Sequence, residues 1–336
     1  MKIGLAYDLK EEVPLNKEHP DDALEEYDSL ETVEAIVSVL ESQGHSVAKL
    51  SGGRKFVDNV LQNSVDFVFN IAEGRGTYRS REAQIPALLE MLDIPYSGSD
   101  PQCLALCLDK PLTKRIVQTA GVRTPRWQLI TSKKELGELC QDSFPLPAFV
   151  KPAFEGSSKG VRLSGRVETN EQMGKVTSAL LEQYHQPVMV EEFIPGDEVT
   201  VGMVGNFPPK IVGMMRILPK KRGNYFIYSL EVKRDWQNQV EYECPAQLEA
   251  RILQKIADFS LKAFETLGCR DLARIDFKLD REGMPYFLEI NPLPGLNPKS
   301  SDLPIMAAKL GWDYQKLVSS IFRAALERYP EHLFAN

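Results

Sequence analysis

The first hundred residues alternate between two hydrophobic patterns. Short apolar runs predict strands, and apolar residues at helical spacing predict the helices between them. Strands that alternate with crossover helices are typical of a mostly parallel sheet with helices on both faces. The predicted strands are 2–7, 46–50, 65–70 and 94–98, and the predicted helices are 30–43, 55–63 and 81–92.

Later patterns are less regular. A helix leads into a central section of mixed strands and helices, and the last section begins with strands. The predicted elements are helices 104–119, 133–142, 170–184, 245–267 and 314–328, strands 148–152 and 188–192, and a polar loop at 220–239.

The clearest alternation predicts a hairpin near the C-terminus. Polar residues alternate with apolar ones over 274–280, the turn at 280–283 ends in a glycine, and 285–291 forms the return strand. Arg274, Asp276, Glu289 and Asn291 would then share one face. Two interpretations remain open: a site for a hard cation and a phosphate, which needs oxygen ligands, or a solvated hairpin with paired charges.

Composition narrows the class of protein. The chain has 336 residues, 43% of them apolar, and a net charge of −7, which argues against a protein that coats nucleic acid. No apolar run is long enough to span a membrane, and the N-terminus lacks the features of a signal peptide. Five scattered cysteines without CxxC favour a reducing, cytoplasmic location. Cys103 and Cys107 lie in an apolar segment and are expected to be core residues.

A strand that runs into a glycine- and serine-rich loop is a candidate phosphate site. Lys151 ends the strand, and Glu155, Ser157 and Ser158 follow in the loop. Small residues let backbone N–H groups approach phosphate oxygens, and a lysine adds charge. The Walker A pattern is absent. Without other evidence, the same loop is equally well a structural turn.

A second acidic stretch follows. Glu191, Glu192 and Glu198 flank a bend at 193–197. Such acids are most often a solvated sheet edge. Beside a nucleotide loop, however, they can pair with adenine and with ribose hydroxyls.

Three motifs, taken in this order along the chain, resemble those of the ATP-grasp superfamily. They are the loop Lys-Pro-x-x-Glu-Gly-Ser-Ser, the strand pair Glu-Glu-Phe-Ile-x-Gly-x-Glu, and the hairpin Arg-x-Asp…Glu-x-Asn. The strongest resemblance is to its D-alanine–D-alanine ligase family. It implies an α/β ATP-grasp fold: an N-terminal parallel-sheet domain (1–108), then central (109–195) and C-terminal (196–336) α+β subdomains that clamp ATP.

The resemblance also implies roles for individual residues. ATP would be bound by Lys110, Lys151, Glu155, Ser157, Ser158, Glu191, Glu192, Phe193, Ile194, Glu198 and Lys233. Mg²⁺, or Mn²⁺ in its place, would be held by Asp276, Glu289 and Asn291. Arg274 and Gly295 would stabilise the tetrahedral intermediate, with Lys233 and Ser157 in loops that close over ATP.

The substrate segments depart from the family pattern. The first-strand Gly-Gly-x-Ser-x-Glu motif is missing, and the family's His-Gly is replaced by residues 70–74. The usual tyrosine of the mobile loop is Arg234. Residues 295–304 resemble the family's loop for the second substrate, with Ser300 and Ser301 as its substrate-binding residues, but one residue follows them as an insertion. These departures leave open whether the first substrate is D-alanine. Glu12 and nearby acids are candidates for a different ammonium site, although such acids are more often a solvated loop, and Arg234 is a candidate carboxylate site.

These features predict an ATP-dependent ligase that joins a carboxylate to an amine through an acyl phosphate. Three hypotheses remain: D-alanine–D-alanine ligase itself, a ligase for another amino acid or amine, and an ATP-binding regulatory protein without turnover. The expected partners are small amino-acid or amine substrates, with neither nucleic acid nor membrane, and a homodimer is common in the family.

Overall fold

The computed structural model describes residues 1–13, 19–141, 144–221, 223 and 225–330. Three sheets organise the described chain, and they follow one another in sequence. The domain boundaries expected near residues 108 and 195 stay a prediction.

The first sheet is parallel, as predicted. Its strand order is β2-β1-β3, with β1 paired to both neighbours. The expected strand at 94–98 is wrong, because this segment contributes only an isolated bridge between Tyr96 and Val68. The elements are β1 (Lys2–Ala6), α1 (Leu30–Ser42), β2 (Ser46–Ser51), α2 (Gly53–Gln62), β3 (Phe67–Asn70), a 3-10 turn (Arg81–Ala83) and α3 (Gln84–Met91).

Two short helices replace the single helix predicted at 104–119. They are α4 (Pro101–Leu108) and α5 (Lys110–Thr119). The break falls at Asp109, whose carboxylate accepts from the Leu112 N–H at 3.0 Å and so starts a new helix. Pro111 in the first turn has no N–H to continue the preceding helix.

The second sheet is antiparallel, in the order β4-β7-β5-β6. Helices α6 and α7 pack beside it. Asp142, where α6 was predicted to end, lies outside the described residues. The elements are β4 (Trp127–Ile130), α6 (Lys133–Gln141), β5 (Ala148–Pro152), β6 (Arg166–Val167), α7 (Asn170–Tyr184) and β7 (Val188–Glu192).

The third sheet is also antiparallel, in the order β10-β9-β8-β11-β12. The predicted hairpin is its β11-β12 pair, and Gly283 at its turn has φ +80°. The helix predicted at 245–267 begins only at Ala250, and the predicted polar loop contains two short helices. The elements are β8 (Glu198–Val204), β9 (Lys210–Pro219), α8 (Leu230–Arg234), α9 (Trp236–Gln239), β10 (Val240–Glu243), α10 (Ala250–Leu267), β11 (Leu272–Leu279), β12 (Pro285–Asn291), α11 (Asp302–Lys309) and α12 (Tyr314–Leu326).

One apolar core joins the two ends of the chain. Ile3 and Leu5 of β1 belong to the same buried cluster as Leu317 and Ile321 of α12. Helix α12 also packs on α1. The last helix therefore completes the core of the first sheet. Among the described residues, none of the helices is both long and apolar enough to cross a membrane.

Candidate active site

The hairpin of β11 and β12 places four polar residues in two opposed pairs. Arg274 pairs with Asn291, and Asp276 pairs with Glu289. Directly opposed residues of an antiparallel pair project from the same face of the sheet. The prediction that these four side chains share one face is therefore confirmed.

Arg274 is held in place by carboxylates. Its Nη2 donates to Asp276 Oδ2 at 2.9 Å, and its Nη1 lies 3.7 Å from Asp302 Oδ2. Burial alone would lower the pKa of this guanidinium, but Asp276 and Asp302 raise it. Thr200 donates to the other oxygen of Asp276 at 2.5 Å. The hairpin thus presents a fixed positive charge beside an anchored carboxylate.

Glu289 is surrounded by cations. Lys110 Nζ lies 3.3 Å from its Oε2, and Arg274 Nη2 lies 4.0 Å from its Oε1. Burial raises the pKa of this carboxyl, but Lys110, Lys151 and Arg274 together hold it well below its usual range. Glu289 is consequently ionised at any physiological pH.

The donor set of the hairpin fits a hard divalent cation. Asp276 and Glu289 offer carboxylate oxygens, and Asn291 offers an amide oxygen next to them on β12. Oxygen ligands of this kind suit Mg²⁺. Asn291 Nδ2 is buried without a hydrogen-bond partner among the described residues, which leaves this amide unsatisfied in the protein alone. These three residues could hold a metal ion.

A first pocket opens between the second and third sheets. Its walls combine aromatic and aliphatic side chains with charged ones, a composition that suits a flat apolar ring joined to an anion. Ten predicted ATP and metal residues line it: Lys151, Ser158, Glu191, Glu192, Phe193, Ile194, Glu198, Lys233, Asp276 and Glu289.

A chain of buried charges supports the wall of the first pocket. Glu191 lies between Lys114, which it contacts through Oε1 at 2.5 Å, and Lys151, at 2.7 Å from Oε2. Burial lowers the pKa of Lys114 to about 8, whereas the charge of Glu191 and that of Glu289 raise the pKa of Lys151 despite its burial. Lys151 thus stays positive at the strand end where the sequence predicted a phosphate lysine.

The glycine- and serine-rich loop has an unusual backbone. Ser157 and Ser158 have φ values of +47° and +61°, a region that non-glycine residues seldom adopt and that is concentrated at functional sites. The Lys110 ammonium donates to the Glu155 carbonyl at the start of the loop. Ser158 faces the first pocket, and Ser157 lines a second pocket.

The second pocket lies beside the first and shares Glu289 with it. Lys110, Ser157, Arg274, Asn291 and Gly295, all predicted site residues, are in its wall. The predicted metal and intermediate-binding residues are therefore brought together where the two pockets adjoin.

Comparison with known proteins places this geometry in a family. A family model described as the D-ala D-ala ligase C-terminus matches residues 116–323. The D-alanine–D-alanine ligase of Aquifex aeolicus is 35% identical over 293 residues, which cover 87% of this chain and 94% of the relative. The chain belongs to the D-alanine–D-alanine ligase family.

Solved structures of the family share the fold. The Bacillus anthracis D-alanine–D-alanine ligase, solved with ATP, superposes with a TM-score of 0.72 at 22% identity and covers 98% of each chain. The VanG D-Ala:D-Ser ligase of Enterococcus faecalis gives 0.74 at 19% identity, with 97% of this chain and 99% of that one covered. The fold is ATP-grasp, and the chain is an ATP-dependent carbon–nitrogen ligase.

Glu155, expected over the ATP phosphates by family resemblance, points elsewhere. Its carboxylate accepts from Gln186 at 2.6 Å and from Arg81 at 3.3 Å, and it pairs with Lys159. Arg81 in turn donates to Glu26 at 2.7 Å. The buried guanidinium of Arg81 requires counterions, and Glu155 is one of them. Glu155 therefore anchors the loop, and it lines neither the first nor the second pocket.

Four residues expected to bind substrate also lie outside the walls of both pockets. Arg234 is exposed and donates to Glu25 at 2.6 Å, so its charge is already paired. Glu12 pairs with Lys55 at 3.1 Å. Ser301 Oγ accepts from the Asn297 N–H at 3.0 Å and packs under Gly295, and Ser300 is exposed. In this arrangement neither the carboxylate site at Arg234 nor the ammonium site at Glu12 is formed.

Several residues of the site were missed from the sequence. Lys278 lines the first pocket and pairs with Glu198 at 3.4 Å. Its position two residues after Asp276 continues the alternation, so the pattern did contain it. Glu73 and Glu82 line the second pocket. The only signal for Glu73 was that it lies in the segment replacing the family's His-Gly.

Three cysteines form a cluster behind the second pocket. Cys103 Sγ lies 3.9 Å from that of Cys107 and 3.6 Å from that of Cys269, and all three side chains are buried. Cys103 and Cys107 are core residues, as predicted, and Cys107 also reaches the wall of the second pocket.

Proposed function

We propose that this ligase binds ATP in the first pocket and forms an amide bond in the second. The observation that supports this division is Glu289, which lines both pockets and is surrounded by Lys110, Lys151 and Arg274. The triphosphate would extend towards this junction, where positive charge is concentrated. The adenine would occupy the apolar end of the first pocket, beside Phe193 and Ile194.

The proposed reaction has two steps. A substrate carboxylate oxygen attacks the γ-phosphorus, the bond from that phosphorus to the bridging oxygen breaks, and ADP leaves with the electron pair. The nitrogen of an amine then attacks the acyl carbon, the carbon–oxygen bond to phosphate breaks, and the amine proton is released. Lys110 and Lys151 would neutralise phosphate charge. Arg274 and the Gly295 N–H would stabilise the oxyanion.

The proposed metal ligands are Asp276, Glu289 and Asn291. When bound, Mg²⁺ or Mn²⁺ would supply charge neutralisation and polarise the phosphoryl group. Asp276 also positions Arg274, which donates to it and lines the second pocket. Ser157 and Lys233 would help to exclude water, since each lines one of the two pockets. Their segments also contact each other, because Leu230 of α8 donates its N–H to the Val161 carbonyl at 2.9 Å.

For the substrates, we propose an amino acid or amine. D-Alanine is one candidate, since the relatives are D-alanine–D-alanine ligases. Another amino acid is the second candidate, since the segments that depart from the family pattern all concern substrates. Phosphate release with Mg-ATP across D- and L-amino acids tests the choice. Release with D-alanine alone supports the first candidate, and release with other amino acids supports the second. No release, with ATP still bound, would contradict the ligase proposal.

The metal assignment has its own test. Asp276→Ala and Glu289→Ala should each lower turnover by about 100-fold or more, since each removes a carboxylate ligand. Glu282→Ala, an exposed acid in the turn of the same hairpin, is the matched control and should keep full activity. EDTA should abolish activity, and added Mg²⁺ should restore it. Full activity in both variants would remove the assignment.

A further inference from the structure

Two acids in the second pocket lack a hydrogen-bond or ion-pair partner among the described residues. Glu73 follows β3, and Glu82 lies in the 3-10 turn beside it. Among the described residues, neither carboxylate accepts a hydrogen bond or forms an ion pair, although Glu82 is only 8% exposed. Both line the pocket that contains Arg274 and Gly295.

The surrounding acids, in contrast, each pair with at least one cation. Glu26 is paired with Arg81 and Lys159, Glu191 with Lys114 and Lys151, and Glu289 with Lys110. Because burying a charge without a partner is costly, a protein seldom keeps one except where a ligand supplies the partner. Two unpaired carboxylates in one pocket therefore point to a positively charged ligand group.

The electrostatics agree with this conclusion. Burial, together with repulsion from Glu82 and Glu26, raises the pKa of Glu73 well above its usual value. Burial also raises the pKa of Glu82 to about 7, although Arg81 and Lys110 act in the opposite direction. A cation bound between the two carboxylates would remove the repulsion and restore their ionised form.

An ammonium group fits this position better than a second metal ion. No third acid, histidine or cysteine lies within metal-ligand reach of this pair in the described chain. In the same pocket, Asn291 offers an unpaired amide N–H, and Arg274 offers its guanidinium. The pocket therefore has acceptors for an ammonium group and donors for the oxygens of a carboxyl group.

We propose that Glu73 and Glu82 bind the ammonium group of an amino-acid substrate in the second pocket. This inference rests on the proposed function and narrows its substrate class. The enzyme would accept amino acids with a free ammonium group, would discriminate against the corresponding 2-hydroxy acids, and would disfavour substrates with an extra carboxylate. Glu73 and Glu82 replace Glu12 and Arg234 as the residues expected to determine specificity.

The test compares amino acids with hydroxy acids that lack only the ammonium group. Phosphate release is measured for D- and L-alanine and serine and for the matching lactates and glycerates as carboxylate substrates, with wild type, Glu73→Gln, Glu82→Gln and the control Glu282→Gln. Alaninamide is present at one fixed concentration as the amine, because a hydroxy acid carries no amine of its own. Wild type should prefer the best amino acid over its hydroxy acid by about 100-fold or more in kcat/KM, because an ammonium site left empty is penalised. Each pocket variant should reduce that preference to about 10-fold or less and raise the amino-acid KM, while the KM for ATP stays unchanged.

Two results would overturn the inference. One is an unchanged preference and amino-acid KM in both pocket variants, with the fold intact by circular dichroism; the ligase proposal would survive this result. The other is equal binding of the amino and hydroxy acids to wild type, measured by calorimetry in the presence of a non-hydrolysable ATP analogue. Binding that favours the amino acid without any phosphate release would instead support the ammonium site and contradict the ligase proposal.

Discussion

Replacing Glu82 by glutamine should stabilise the protein at alkaline pH. Burial raises the pKa of this carboxyl from 4.5 to about 7, so its ionised form opposes folding. A group whose pKa is raised on folding stabilises the fold below its unfolded pKa, and the contribution is lost as pH rises through the folded pKa. A rise from 4.5 to about 7, at about 1.4 kcal/mol per tenfold change in proton affinity, amounts to about 3 kcal/mol.

Urea unfolding followed by circular dichroism would measure the effect, in EDTA and without nucleotide. At pH 8, Glu82→Gln should raise the free energy of unfolding by up to about 3 kcal/mol. The difference should shrink as pH falls from 7 towards 4.5, where wild-type Glu82 becomes protonated. Glu265→Gln, an exposed acid on α10, is the control and should change stability by less than about 0.5 kcal/mol. A gain independent of pH, or a loss at pH 8, would refute the reasoning.

Three further predictions concern the fold. Arg81→Met should lower the free energy of unfolding by about 3–5 kcal/mol, because it leaves Lys159 as the remaining cation paired with the two buried carboxylates of Glu26 and Glu155. Urea unfolding would measure the loss, and a smaller loss when Glu26→Gln is added would identify the ion pair as the cause. Gly283→Ala should lower the free energy of unfolding by about 1–2 kcal/mol in the same assay, since φ is +80° and a Cβ would lie 2.4 Å from Ile252 Cδ1. The KM for ATP should stay unchanged, and an unchanged stability would contradict the prediction. Deleting residues 313–336 should prevent cooperative unfolding, because α12 is part of the core of the first sheet; a sharp thermal transition in the shortened chain would contradict it.

The sequence was informative where a local pattern determines geometry. Alternation and a glycine turn were enough to predict a hairpin with Asp276 and Glu289 on one face, and the structure adds the register that opposes them. Asp109 and Pro111 also contained a local signal, a cap followed by a proline, but the apolar spacing on both sides concealed it. Errors of this kind concern where a helix begins or ends, and they leave the arrangement of the site unchanged.

Side-chain partners from distant segments could not be predicted. Glu155 follows a phosphate-loop pattern, yet its carboxylate is paired with Arg81, 74 positions away. Arg234 resembles a substrate residue in its loop, yet Glu25 neutralises it. Glu73 looked like a departure from the family pattern, and only its position in the same pocket as Arg274 indicates a role. Whether a charge is free or paired depends on tertiary contacts, which single-sequence patterns do not contain.

The contact between the last helix and the first sheet has a consequence for synthesis on the ribosome. The strands of the first sheet end at Asn70, whereas α12 begins at Tyr314. At about 5–20 residues per second, tens of seconds separate the two. Through that interval Ile3, Leu5 and their neighbours lack part of their apolar cover. The first sheet to be translated is therefore among the last parts of the molecule to be completed.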